Sequence, residues 1–232
     1  MQEVSSVHLT KRQPRETGRD YALRTIKDNI IRLELAPGSM VSENELSTEM
    51  GLSRTPVREA LIELSKSKIV EIYPQKGSVV SLVDFNLVEQ SRFVRSALEG
   101  AVVELVCAMA TQDDLLRLEE IIKLQIFYLD HRDPDALLEP DDQFHRTLFE
   151  IAQKSQAYEL MESIAIHFDR MRRLSLFIVK DESVIEGHRA ILAAITRRDP
   201  AAAHALLERH LNAYKIDENA IRTEYPDYFV SP

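Results

Sequence analysis

The sequence is short of what usually marks a secreted scaffold, a membrane protein or an enzyme. It has one cysteine, Cys107, in 232 residues, so no intrachain disulfide exists and a reducing cytoplasm is the expected location. Cys107 stands in "VVELVCAMA", an apolar helical run, and reads as core rather than as a nucleophile. There is no tryptophan, and glycine occurs only six times. Scarce glycine with abundant Ala, Leu, Glu and Arg points to a mostly helical chain. The start, "MQEVSSVHLTKRQPRE", has no apolar signal core. No stretch approaches the roughly 18–20 apolar residues of a membrane span. No repeat, no low-complexity segment, no H-E-x-x-H and no nucleophile motif is present.

What is present fits two domains. The length suits two, and 44% apolar residues supply a core. The net charge is −9, which as a whole argues against nonspecific nucleic-acid binding. Its distribution is uneven. Residues 1–80 carry 12 Lys+Arg and 11 Asp+Glu, a balance of +1. Residues 81–232 carry 17 and 27, a balance of −10. The first part must therefore be judged separately.

Residues 1–18 are polar and read as a flexible tail. "RDYALRTIKDNIIRLEL" has helical spacing and ends at "APG". In "SENELSTEMG", Ser42 is a cap with Glu45 three residues on. "LSRTPVREALIELSKSK" is a third helix, with Ser53 as cap and Pro56 in its first turn. Val57, Leu61, Ile62 and Leu64 form its apolar side. The period then changes. "IVEIYPQKGSVVSLV" reads as two short strands around a Pro-Gln-Lys-Gly turn. Three helices and a hairpin over 19–83 make a winged helix-turn-helix. From residue 84 the pattern is helical, with helices expected at 85–110, 111–131, about 140–153, 156–178, 182–197 and 200–223. Asp133-Pro134 and Asp199-Pro200 each read as a cap followed by proline at the first helical position. The fold class is thus mainly α: the winged helix-turn-helix, then an all-helical bundle of six or seven helices over 84–224, then a short tail at 225–232.

The third helix has the chemistry of a DNA reader. Arg54 and Arg58 are four apart at its N-terminal end, where a recognition helix meets base edges. Arginine grips guanine O6 and N7 in bidentate fashion. Ser53 and Thr55 suit phosphates at a helix N-terminus. Lys76 and Gly77 sit at the hairpin tip, and Arg24 and Lys27 on the first helix are further candidates for backbone contact. On spacing alone, solvated helix charges remain the alternative reading. "GLSRTPVREALIEL", followed by a hairpin with "KG" at its tip, resembles the signature of the GntR family of bacterial transcription regulators. The resemblance runs from about Tyr21 to Val83. It implies that Arg54 and Arg58 read bases while Ser53, Thr55 and Gly77 help hold the DNA.

The helical part holds "PDDQFHRTLF". Asp141 and His145 stand one turn apart on one helix face. His188, in "VIEGHRAILAAI", and His210, in "ALLERHLNAY", lie on two further helices. Facing helices of a bundle commonly build metal sites, and one carboxylate with three imidazoles suits Zn²⁺, Ni²⁺ or a similar divalent ion. Packed histidines without a metal are the plainer reading of the spacing. Residues 85–223 resemble the helical effector domain of the FadR branch of that family, the FCD domain. The matching pieces are "VRSALEG", "DDQFHRTLFEIA", "DRMRRLSL", "EGHRAILAAITRRDPAAA" and "ERHL". The resemblance implies a metal on Asp141, His145, His188 and His210, with Asp142 out of phase. It further implies a small organic-acid or sugar-acid effector, with Arg95 and Arg172 as its cations. Relatives often have Glu where Gly187 stands, so Glu186 is a candidate substitute carboxylate behind the metal.

The expectation is therefore a cytoplasmic homodimer that binds palindromic operator DNA. It would be a metabolite-responsive repressor, not an enzyme. A metal-dependent hydrolase built on Asp141, His145, His188 and His210 is the alternative, and a purely dimerising helical part is the third.

Overall fold

The computed structural model describes residues 7–131, 134–178, 183–213 and 218–230. The reader comes first: α1 (Gly18–Ile31), β1 (Met40–Val41), α2 (Glu43–Glu49), α3 (Arg54–Lys66), β2 (Val70–Tyr73) and β3 (Gly77–Val80). The bundle follows: α4 (Phe85–Met109), α5 (Gln112–Asp130), α6 (Pro134–Ile151), α7 (Ser155–Ile178), α8 (Ser183–Thr196), α9 (Pro200–Leu211) and α10 (Glu218–Glu224). The fold is thus a winged helix-turn-helix followed by an all-helical domain.

The wing has one strand more than the hairpin. β1 joins an antiparallel sheet of order β1-β3-β2, pairing Met40 with Val79 and Val41 with Ser78. A two-residue strand offers too short a run for the alternation of a strand to show. Gly77 turns the tip at φ +108°, a conformation other residues resist. In α3 the buried side is Val57, Ala60, Leu61 and Leu64. Ile62 was expected there but is 43% exposed, because it lies about a third of a turn off the buried stripe.

Capping chemistry sets most helix starts. Ser42, Asp84, Thr111 and Asp199 each accept a backbone N–H of the first turn, and Thr111 with Asp114 closes a full capping box. Ser53 holds the cap position of α3 but makes no such bond with its side chain. The expected Asp133 cap lies outside the described residues. α6 begins at Pro134 rather than near 140, and Pro140 sits inside the helix. The expected helix over 200–223 is two, α9 and α10.

Neither tail reads as loose where it is described. Val7 is buried against the reader, and Asn29 exchanges two hydrogen bonds with the His8 backbone. Arg24 is spent on Glu16, 2.8 Å away, and Lys27 on the Glu162 carbonyl across the domain junction. Both are thus engaged by protein groups. Near the C-terminus, Phe229 is buried, bridges Val83 in parallel and stacks on Phe85. A polar sequence does not reveal such pinning, which combines one apolar residue at each end with long-range polar contacts at the N-terminal one.

The bundle core runs from Val83 to Phe229 and includes Cys107 as an inert, buried thiol. Phe144, Leu148 and Phe149 place α6 in it at 0% exposure. That burial fixes which face of α6 points inward, and Asp141 and His145 lie on it.

Candidate metal centre and DNA-reading face

Asp141, His145, His188 and His210 come from α6, α8 and α9. One ligand atom from each lies within 4.8 Å of all the others. His145 Nε2 and His188 Nε2 are 3.4 Å apart. Two nitrogens on one tetrahedral ion, each about 2.0–2.1 Å from it, stand about 3.3 Å apart. Asp141 places Oδ1 3.7 Å from His188 Nε2 and Oδ2 4.0 Å from His145 Nε2. The donor set and spacing fit a divalent ion. Asp142 turns the other way, onto Arg172.

Two side chains that the sequence reading passed over determine which nitrogen faces the centre. His145 Nδ1 donates to Glu99 Oε2 at 2.6 Å, and His188 Nδ1 donates to Gln125 Oε1 at 2.8 Å. Each bond occupies Nδ1 and leaves Nε2 turned inward, toward the centre. Gln125 is itself held, donating to the Pro140 carbonyl at 3.0 Å. Glu186 is exposed in the first turn of α8 and does not take this role; Glu99 and Gln125, both at 0% exposure, do. Phe144 stacks on His188 at 4.1 Å between ring centres. Gly187 matters for space: a Cβ there would stand 2.7 Å from His210 Nδ1. The glycine lets the third imidazole in.

Burial lowers His188 to a pKa of about 3 and takes His210 well below its usual value, with the neighbouring histidines lowering both further. Both are therefore neutral imidazoles at physiological pH. Burial works to raise Asp141 and Glu99. For Asp141 this is overcome chiefly by Arg172; for Glu99 it is overcome by its partners His145 and Arg95, both hydrogen-bonded to it, giving about 2. The site thus holds an ionised Asp141 beside neutral His188 and His210, the protonation states metal ligation requires.

The two expected effector cations are beside this centre, and each already has partners. Arg95 donates to Glu99 at 2.5 Å and lies 3.8 Å from Asp169. Arg172 bonds Asp141, Asp142 and Asp169, the last two at 2.9 Å.

On the reader, Ser53, Arg54, Thr55 and Arg58 are all exposed along the first turns of α3, and Lys76 and Gly77 are exposed at the wing tip. Arg54 has one partner in the described residues, Glu43 at 3.3 Å on α2. A pair this exposed is weak and readily exchanged for DNA.

Two family models match. "Bacterial regulatory proteins, gntR family" covers residues 21–80, and "FCD domain" covers residues 91–213. The chain belongs to the gntR family and carries its FCD domain. The HTH-type transcriptional repressor RspR of Escherichia coli (strain K12) is 30% identical over 95% of this chain and 97% of its own. An uncharacterized HTH-type transcriptional regulator of Streptomyces ambofaciens is 33% identical over 94% and 91%. Among solved structures, E. coli McbR/YncC has a TM-score of 0.77 at 20% identity, covering 90% of this chain and 99% of that one. These relatives make transcription regulation through DNA the function class of this gntR-family chain. Among its described residues, no helix is long and apolar enough to cross a membrane.

Proposed function

We propose that this gntR-family chain is a dimeric, metabolite-responsive repressor. A divalent metal, Zn²⁺ or Ni²⁺, sits on Asp141, His145, His188 and His210, and a small carboxylate effector binds beside it. The observation that carries the reading is the convergence of four ligand atoms within 4.8 Å. The second support is that two of the imidazoles are held in the ligating tautomer by Glu99 and Gln125. When bound, the ion supplies a Lewis-acid position for an effector oxygen. Four protein ligands already complete a tetrahedron, so a metal that accepts five or six ligands suits the role best.

Arg95 and Arg172 orient the effector. Each already has acid partners, so an incoming carboxylate exchanges with Asp169 or with the half-exposed Asp142 rather than meeting bare cations. The exchange makes binding selective for anions without leaving buried charge uncompensated. On the DNA side, Arg54 and Arg58 read base edges in the major groove. Ser53, Thr55, Lys76 and Gly77 hold phosphates.

A single winged helix reads one half-site, and a two-fold dimer reads a palindrome. The face offered to a second copy is on α4. Phe93, Ala97, Ala101, Leu105 and Met109 recur every four residues and are exposed, Phe93 at 68%. Small residues at its centre let two helices approach closely. Ala101→Arg is expected to halve the mass seen by light scattering; a dimer that survives the change places the interface elsewhere.

Metal analysis of the purified chain tests the central claim. About one metal per chain is expected in the wild type and in His204→Ala, and none in His145→Ala. Absence of metal from all three removes the reading.

A further inference from the structure

α7 is gripped by both halves of the molecule. Its Ile166 is 1% exposed and belongs to the reader's core cluster, not to the bundle's. His167 Nε2 donates to the Ser67 carbonyl at 2.8 Å, and Ser67 is the C-terminal cap of the recognition helix α3. Arg170 donates to the Ser81 carbonyl at 2.7 Å, one residue past the wing strand β3. Ser81 N in turn bonds the Ile69 carbonyl at the start of the wing. The same stretch of α7 carries Asp169 and Arg172, whose partners Arg95, Asp141 and Asp142 belong to the proposed sensing centre. Residues 167 and 170 therefore hold the reader, while 169 and 172 hold the centre.

Among the described residues, Arg170 is a buried cation with unpaired nitrogens. It is 0% exposed, and among the described residues its Nε and one terminal nitrogen have no hydrogen-bond partner. The Ser81 hydroxyl beside it is likewise unsatisfied. Burial alone draws its guanidinium down to about 10, with no carboxylate to oppose the shift. A buried cation with a single carbonyl contact is costly, so a small shift that admits water or an acid is favoured. The junction is thus a packing poised to give way.

We propose that residues 166–173 of α7 are the lever that couples the sensing centre to the DNA reader, with Arg170 and His167 as its clasps on the wing and the recognition helix. The inference rests on the metal-site reading. A cation placed among Asp141 and the three histidines draws on Asp141, which Arg172 also holds, and repels Arg172. The force would act on α7 at Arg172, two residues from the Arg170 clasp and five from the His167 clasp. Loosening them frees α3 and the wing to move against the bundle.

Hydrogen exchange of the full chain, resolved by peptide, tests this with Zn²⁺ alone as the probe. In the wild type, saturating Zn²⁺ is expected to slow exchange in peptides 141–148 and 185–191. It is expected to speed exchange about threefold or more in 64–73 and 78–83. In Arg170→Met and in His167→Phe, each checked for fold by circular dichroism, the reader peptides are expected to lose most of that response. The centre peptides keep theirs. Should Arg170→Met fail to fold, His167→Phe carries the same test. No protection of the centre peptides in the wild type defeats the metal reading. Protection there without a response in the reader, or with an equal response in the variants, defeats the lever.

Discussion

The metal-free chain is expected to lose stability steeply between pH 7 and pH 5, and His188 sets the size of the loss. Its ring is fully buried and its pKa is lowered to about 3, so the native state keeps it neutral across this range. The unfolded chain takes up a proton at a pKa of about 6.5. The unfolded state therefore binds more protons below pH 6.5, and stability falls with pH. The contribution is complete above about pH 6.5 and is lost progressively toward the native pKa. For one such histidine the loss from pH 7 to pH 5 is about 2 kcal/mol. His210 shifts in the same direction but keeps part of its surface open to solvent, so it adds less. His167 moves in that direction too, chiefly through burial. The carboxylates Asp141 and Glu99 share the sign, but their loss comes at lower pH, where unfolded acids protonate. Urea denaturation of chelator-treated protein at pH 7 and pH 5 measures the total. The same pair of measurements on His188→Gln isolates one histidine, because the glutamine does not titrate. The variant is expected to lose about 2 kcal/mol less than the wild type over the interval. Equal losses in the two proteins would refute the claim that His188 is held neutral by burial.

Three further outcomes are expected. Glu99→Gln removes the charge that holds His145 in its ligating tautomer and lowers Zn²⁺ affinity about 10–100-fold, read by competition with a chromophoric chelator; unchanged affinity places the orienting role elsewhere. Gly187→Ala divides two readouts: the helix gains about 0.5–1 kcal/mol of intrinsic preference, while the new Cβ pushes His210 aside and weakens metal binding; a variant that binds metal as the wild type does would show that His210 is not a ligand. Arg58→Ala is expected to weaken binding to DNA fragments selected by the wild type from a random pool by about 10–100-fold, the loss of one bidentate contact of about 1–3 kcal/mol, with the melting temperature unchanged because Arg58 is exposed.

The reader was legible because its constraints are local. Ser42 and Pro56 act on the turns they stand in, and Gly77 decides one backbone angle. Thr111 and Asp199 mark helix starts for the same reason. Asp141 and His145 were legible as a pair because four residues is one helical turn. Where a constraint spans the chain, the sequence is silent. Glu99 and Gln125 look like any other polar residue on an amphipathic helix. Only the packing of α4 against α6, and of α5 against α8, turns them toward His145 and His188. One signal was available for Glu99: it stands four residues after Arg95, and the two form an ion pair within one helix.

Glu186 and Arg24 show how nearness in sequence differs from nearness in space. Glu186 is two residues from His188, but on an α-helix that spacing places the two on different faces, and His188 turns inward while Glu186 turns out. Arg24 is on the reader, yet Glu16 from the preceding segment folds over it and takes its charge. α7 shows the same geometry put to use. His167 and Arg170, three apart, share the face toward the reader, while Asp169 and Arg172, also three apart, share the face toward the centre. Interleaved spacings of three are what one helix needs to touch two domains at once. A rigid turn of helix that serves both faces cannot satisfy a change on one without moving the other, and this is why the proposed coupling between the candidate metal centre and the DNA reader is placed on α7.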